Sequence, residues 1–262
     1  MNALRSVLAI AGKEIRVAMV SPMLYVVAGV FSVIVGWFFW LMVSSAVAQS
    51  LQMLRVQGGM PQVEITDLVL QSMFRTMHVV LLLVIPLLTM RLLSEERKNR
   101  TVELLLTSPL TLAQVVAGKY IAVLLLYTGI LALTLYMPVM LALWGAVNWP
   151  TALLGYLGLL CVGAIYLALG LLASSLTENQ ISAGIITLGL LLGLWVLGGA
   201  ASIVEADAVR PVLEYLSVTQ HLDSFVKGLL SSVSVVYSIS LTAFSLFLAH
   251  RVLDSGRWRE AG

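Results

Sequence analysis

The chain has 262 residues, of which 60% are hydrophobic and only 11% are charged. A water-soluble domain carries about a quarter charged residues, so this composition excludes an ordinary soluble protein and places most of the chain against lipid. The formal net charge of +2 is too small to favour a nucleic-acid partner. The lone cysteine, Cys161, excludes an internal disulfide and a cysteine-held metal cluster.

Residues 1–20 are predicted to form an amphipathic helix. Apolar residues recur there at helical spacing, and Arg5, Lys13 and Arg16 lie on the opposite side. A basic helix of this kind lies flat on the inner membrane surface, either as a plain anchor or with a part in gating. Glu14 falls at the edge of the apolar face, so we expect it to pair with a neighbouring side chain.

Six segments are apolar enough to cross a bilayer, which takes about 20 residues of helix. They cover residues 23–43, 76–93, 115–144, 153–173, 181–204 and 233–253, and the second is predicted to be the end of a longer helix that starts near Thr66. Capping boxes are predicted at 111–114 and 177–180, ahead of the third and fifth spans. Pro86 and Pro138 fall inside spans and should kink them.

The positive charges set the orientation of these spans. With the N-terminus inside, eleven of the fifteen Lys and Arg residues fall in inner segments and four in outer ones. Cytoplasmic loops are enriched in Lys and Arg, so both termini are predicted to be cytoplasmic. The prediction is an all-α membrane protein with a single domain, 1–262, and six transmembrane helices.

The loop at 94–110 holds the densest charge cluster of the chain. Glu96 and Arg100 are four residues apart in the order that stabilises a short helix. Two interpretations remain open. The loop is either a solvated connection that only sets topology, or a short helix that docks into a polar groove of a cytoplasmic partner.

The outer segment at 205–232 is too apolar for a free loop and too interrupted to span. It begins at Glu205, and Pro211 and Gly228 are expected to break it. Short re-entrant helices would fit, because such backbone is tolerated at membrane depth where protein covers it. An amphipathic surface helix is the alternative.

Gly189 and Gly193 form a small-residue pair in the fifth span, and glycines also line the fourth. Such residues let helices approach closely in lipid. The pair is expected to serve helix packing within one subunit, or else dimerisation.

Several motifs are absent from the sequence. It contains no P-loop, no zinc-protease motif and no nucleophile elbow. His78, His221 and His250 are expected to be interfacial side chains. No ionisable residue is predicted at the centre of a span, where ion-coupled transporters usually need one. The chain is therefore predicted not to be an enzyme, to hold no cofactor or metal, and to draw its energy from another protein.

The stretch SEERKNRTVELLLTSP at 94–109, followed by GKY at 118–120, resembles the loop of type-2 ABC transporter permeases. The resemblance is to the branch with the gliding-motility and copper-processing permeases. Arg100 stands where that family usually has glycine. The KEIR run at 13–16, the SP pair at 21–22 and the late residues His221 and Tyr237 are also similar.

This resemblance implies an exporter in the bacterial cytoplasmic (inner) membrane. Two six-span subunits, either two copies or a pair of paralogues, would be embedded in membrane lipid. Each would dock a cytoplasmic ATPase subunit that holds ATP and Mg. The 94–110 loop would form the coupling helix, and the 205–232 segment would form re-entrant helices at an outer gate with Glu205, Pro211 and Gly228. The implied ATPase-coupling residues are Glu95, Glu96, Arg97, Arg100, Thr101 and Glu103. A membrane scaffold or assembly factor without transport activity is the alternative.

Overall fold

The computed structural model describes residues 3–57, 62–98, 111–145, 147–201 and 210–259. All regular secondary structure in these ranges is helical, which confirms the all-α prediction. The helices, in chain order, are α1 (Ala3–Val20), α2 (Pro22–Gln57), α3 (Gln62–Thr89), α4 (Ser94–Lys98), α5 (Leu112–Ala132), α6 (Tyr136–Trp144), α7 (Trp149–Leu176), α8 (Gln180–Ala201), α9 (Arg210–Leu216), α10 (Val218–Val226) and α11 (Ser232–Arg259).

Six stretches of the described chain are long and apolar enough to cross a membrane, as predicted. They are Pro22–Leu51, Thr66–Lys98, Leu112–Leu143, Trp149–Leu176, Gln180–Ala200 and Ser232–Ser255. The fourth is the most buried inside the protein and the fifth the least. The fourth span is therefore the centre of the bundle, and much of the fifth is available to lipid or to another chain.

Helix α7 is the central element, and α3, α5, α8, α10 and α11 all pack against it. Its glycines make this possible. The ring of Phe74 lies where a Cβ at Gly155 would stand, and the ring of Tyr127 fills the same place at Gly163. The Tyr127 hydroxyl donates a hydrogen bond to the Leu159 carbonyl at 2.7 Å. These contacts agree with the expectation that small residues of the fourth span serve close packing.

Two predicted spans differ from the observed helices. The first was expected to end at residue 43, but α2 continues to Gln57. The residues after the apolar run are still helix-compatible, and hydroxyls such as that of Ser44 donate back to backbone carbonyls within the helix. The third span is interrupted at residues 133–135, between α5 and α6.

The interruption of the third span lies one turn before Pro138. Proline lacks the N–H that would bond to the carbonyl of Thr134. In the structure the Tyr156 hydroxyl donates to this carbonyl at 2.9 Å, and the Met137 N–H donates to it at 3.0 Å. The broken helix is tolerated because a tyrosine of the central helix supplies the missing donor.

Two further expectations were wrong. His78 is not an interfacial side chain, since only 2% of it is exposed and a 2.8 Å hydrogen bond joins its Nε2 to the Tyr166 hydroxyl. The cap of α8 is Asn179 rather than Thr177, because the Asn179 side chain accepts from the Ile181 N–H at 2.9 Å. The capping box before α5 is present as predicted, with Thr111 and Gln114 bonded reciprocally.

Candidate functional site at the charged helix junction

A buried lysine joins three helices where α1, α4 and α5 meet. The Lys119 Nζ lies 3.1 Å from Glu14 Oε1 and 2.9 Å from Glu96 Oε1. The lysine side chain is 4% exposed, and the two carboxylate side chains are 19% and 18% exposed. We call these three residues the junction cluster. Because they are largely shielded from water, their attraction is weakly screened and their geometry is restricted.

The local sequence explains why α1 reaches Lys119. Gly118 precedes the lysine on α5, and a Cβ at Gly118 would lie 2.8 Å from the side chain of Ile10 on α1. The absence of a side chain therefore lets α1 lie close against α5. Glu14 is one turn beyond Ile10 on the same face, which brings its carboxylate to the lysine. This pairing satisfies the expectation that Glu14 has a neighbouring partner.

The inward side of α1 differs from the predicted apolar face. Ser6 and Ala11 are buried against the protein, while Leu4, Leu8 and Met19 are exposed. One face of the helix thus packs on α5, and a second, apolar face is exposed at the surface of the protein. Its placement on the membrane surface stays a prediction.

A second set of bonds fastens the turn between α3 and α4 to the end of α7. The Ser174 hydroxyl accepts from the backbone N–H groups of Leu93 at 3.0 Å and Ser94 at 3.1 Å. It also donates to the carbonyl of Met90 at 3.3 Å. The guanidinium of Arg97 donates to the carbonyl of Ser175. Ser174 and Ser175 therefore hold both the α3–α4 turn and helix α4 against α7, the central helix of the bundle.

The predicted coupling residues divide into two groups. Glu96 and Arg97 point inward, to Lys119 and to Ser175. Glu95 points outward: it is 51% exposed and lies 4.0 Å from the Arg91 guanidinium, a separation that contributes little in water. The predicted residues Arg100, Thr101 and Glu103 lie outside the described residues, so the proposed pairing of Glu96 with Arg100 stays a prediction.

The predicted outer segment contains two short helices, α9 and α10. They meet at Ser217, whose side chain accepts from the Gln220 N–H and so caps α10. Pro211 occupies the first turn of α9, where a missing N–H has no cost; residues 202–209 lie outside the described ones, so the predicted break at Pro211 stays a prediction. Gly228 does end the helical part, with a φ of +79° that favours glycine. Glu205 lies outside the described residues.

Helix α10 is covered by protein rather than exposed as a surface helix. Leu222 and Phe225 are buried, and a Cβ at Gly158 of α7 would lie 2.6 Å from Phe225. His221 is also buried, with Nδ1 3.0 Å from the Ser234 hydroxyl and Nε2 2.9 Å from the Tyr215 carbonyl. A backbone covered in this way fits the expected re-entrant arrangement better than a free amphipathic helix.

Gly189 and Gly193 face away from the described part of the chain. A Cβ at either position would meet no atom within 4 Å. They do not pack against another described helix of the same subunit. Their role in packing stays a prediction.

Sequence reasoning missed Lys119 and Ser174 as parts of the site. Lys119 was counted as an inner positive charge and as part of the GKY motif, but no partner was predicted for it, although a cation seven residues into an apolar helix must find partners. Ser174 gave no comparable signal, because a serine near a helix end is common.

Six stretches of the described chain are long and apolar enough to cross a membrane. Together with the charged junction, they define a multi-pass membrane protein. The family model described as ABC-2 family transporter protein matches residues 8–250, a range that includes the whole junction cluster. The chain belongs to this family, and it is a membrane permease component of an ABC transporter. No curated protein matches the sequence. The narrower gliding-motility and copper-processing branch stays a prediction.

Proposed function

We propose that the chain is the membrane-spanning subunit of an ATP-driven exporter in the bacterial cytoplasmic membrane, with both termini in the cytoplasm. A separate cytoplasmic ATPase would bind ATP and Mg, and a second permease copy or paralogue would complete the pathway. The observation that carries the proposal is the junction cluster, which ties the charged helix α4 to α1 and α5. This chain would have no catalytic site or cofactor of its own.

The two sides of α4 suit two different tasks. Glu95 and Lys98 are exposed, so they are available to a cytoplasmic partner. Glu96 and Arg97 face the bundle and are bonded to it. A docking surface needs charged side chains that can contact a partner. Transmitting a movement to the bundle needs side chains that are firmly bonded to it. This division supports the docking interpretation of the 94–110 loop over a purely solvated connection.

Helix α7 offers a route from the junction to the outer segment. Ser174 near its end holds the α3–α4 turn, and Gly158 in its first half accommodates Phe225 of α10. These positions are sixteen residues apart, which corresponds to about 24 Å along a helix. A displacement of α4 would therefore be carried to α10 through one rigid element, in keeping with an outer gate formed by the 210–228 region.

The proposal is tested with the complex purified from the native host through a tag on this chain. We expect an ATPase with a P-loop to copurify, and its ATP hydrolysis to depend on the permease. Lys119→Met should keep the ATPase bound, because α4 still exposes Glu95 and Lys98, but should reduce permease-dependent hydrolysis by about tenfold, the effect of losing about 1.4 kcal/mol of coupling. Lys119→Arg should restore part of it.

Three results would count against the proposal. A complex that contains no P-loop protein would remove the energy source. A bound ATPase whose hydrolysis is the same with and without the permease would favour the scaffold alternative. Normal coupling in Lys119→Met would show that the junction cluster does not transmit the motion. The matched control is Lys13→Met, which removes an exposed lysine of α1 and should leave hydrolysis unchanged.

A further inference from the structure

A pocket lies beside the junction cluster, between α1, α2, α3 and α5, and it shares Glu14 with that cluster. Its cavity volume is about 110 Å³, less than the roughly 300–1,000 Å³ of pockets that enclose a whole ligand. It is open on one side. A ligand held here would therefore be only partly enclosed, as a lipid is when part of it stays in the bilayer.

Three charged side chains line the pocket. Arg91 and Glu95 line it from the α3–α4 turn, and Glu14 lines it from α1. The Arg91 guanidinium is 4.0 Å from the Glu95 carboxylate, and the two side chains are 37% and 51% exposed. This distance is too long for a direct hydrogen bond. The two opposite charges are therefore held near each other without satisfying one another.

The rest of the pocket is apolar. Leu87 and Leu88 line it one turn before Arg91, and Val123 and Leu126 line it beyond Lys119 on α5. Val27 closes it from α2. These residues belong to membrane-crossing helices, whereas the charged groups lie where those helices end. The lining thus combines charged groups with apolar side chains, which matches an amphiphile with one charged head and an apolar tail.

The charged residues of the lining select the kind of head. An arginine recognises a phosphate through several N–H donors, and carboxylates accept hydrogen bonds from an ammonium group. A head with a phosphate and a primary ammonium satisfies both. A purely anionic head would face Glu14 and Glu95. A quaternary ammonium donates no hydrogen bond and is usually held by aromatic rings, and no aromatic residue is among those lining the pocket.

We propose that this pocket binds one phospholipid with a phosphoethanolamine head. Its phosphate lies on Arg91, its ammonium on Glu95 and Glu14, and one acyl chain lies along Leu87, Leu88 and Val123. Because α1 and α2 both line the pocket, the bound lipid holds the N-terminal helix against the first span. The lipid is then a structural ligand of the permease rather than cargo.

The test uses the full-length chain, purified in detergent and stripped of lipid. Native mass spectrometry and thermal unfolding are followed while dioleoyl phosphatidylethanolamine, phosphatidylcholine or phosphatidylglycerol is added. Water-soluble glycerophosphoethanolamine distinguishes a lipid from its free headgroup. We expect one phosphatidylethanolamine to bind and to raise the unfolding temperature, with the other two lipids about tenfold weaker and the free headgroup without effect.

Two variants examine the two ends of the pocket. Arg91→Gln removes the phosphate partner, and Leu87→Trp fills the apolar part from a side chain that is 44% exposed and so tolerates a larger residue. Both should lose the preference for phosphatidylethanolamine. The matched controls are Arg16→Gln on the exposed side of α1 and Leu83→Trp one turn away on α3, where the leucine is 59% exposed and outside the pocket. Both controls should bind the lipid as the wild type does.

Equal binding of the three lipids would overturn the assignment of the head. Unchanged binding in Leu87→Trp would overturn the location of the acyl chain. Binding of glycerophosphoethanolamine alone, with the same stabilisation as the lipid, would show that the ligand is a soluble compound instead. Lipid binding and thermal unfolding are measured without ATP hydrolysis. The lipid proposal can therefore fail while the coupling proposal stands, and the coupling proposal can fail while the lipid proposal stands.

Discussion

Replacing Lys119 with methionine keeps the length of the side chain and removes its charge. Two carboxylates then face each other across a site that excludes most water, since the lysine they lose is 4% exposed and they are themselves less than a fifth exposed. Removing one partner of a buried ion pair costs about 3–5 kcal/mol. Because both carboxylates keep some contact with water, we expect the lower end of that range, about 3 kcal/mol.

The reasoning also predicts a rescue. The triple variant Glu14→Gln, Glu96→Gln and Lys119→Met contains no charge at the junction. Replacing a complete buried ionic group by neutral residues is often close to neutral for stability. We expect the triple variant to recover at least half of the loss, which would give a coupling energy of about 1.5 kcal/mol or more between the three positions.

The assay is equilibrium unfolding of the detergent-purified chain, followed by tryptophan fluorescence. Lys13→Met serves as the control and should change the free energy of unfolding by no more than about 0.5 kcal/mol, as expected for an exposed residue. A loss below about 1 kcal/mol for Lys119→Met would be typical of an exposed ion pair and would refute the inference. A triple variant less stable than Lys119→Met would do the same.

Three further substitutions test the packing of the bundle by the same unfolding assay. Gly163→Ala places a methyl group against an aromatic ring of α5 and should lower the free energy of unfolding by about 1–3 kcal/mol. The added methyl group of Gly189→Ala meets nothing within 4 Å, so this variant should be neutral or stabilising by up to about 1 kcal/mol. Equal effects at the two sites would contradict the packing. Tyr156→Phe removes the hydroxyl that donates to the Thr134 carbonyl and should cost about 1 kcal/mol; no change would mean that this bond is unimportant for the broken third span. Gly228→Ala forces a side chain into a φ of +79° and should cost about 1–2 kcal/mol, a loss that Gly228→Asn should partly avoid.

The six spans could be predicted because lipid imposes a simple demand on length and composition. The end of the first span could not, since the residues from Ser44 onwards mix apolar and polar side chains and include no helix breaker up to Gln57. The interruption between α5 and α6 could not be predicted from the sequence either. Pro138 indicated a distortion, but the donor that allows a full break comes from Tyr156, on another helix.

The candidate site was predicted in part. The charge pattern of the 94–110 loop located α4 and indicated that Glu96 has a partner. The structure pairs Glu96 with Lys119, a partner on another helix that spacing does not encode, and its pairing with Arg100 stays a prediction. Glu14 and Lys119 are 105 residues apart in the chain. Only the close approach at Gly118 brings them together.

The most direct test of the account asks which side of the membrane α4 occupies. Lys98→Cys is introduced in a Cys161→Ser background, so that the new thiol is the only one, and is treated with a membrane-impermeant maleimide. We predict labelling in inside-out vesicles but not in intact spheroplasts, with protection when the ATPase is bound. Lys227→Cys, beyond α10, should show the opposite pattern. Labelling of Lys98→Cys from outside intact spheroplasts would contradict the proposed coupling.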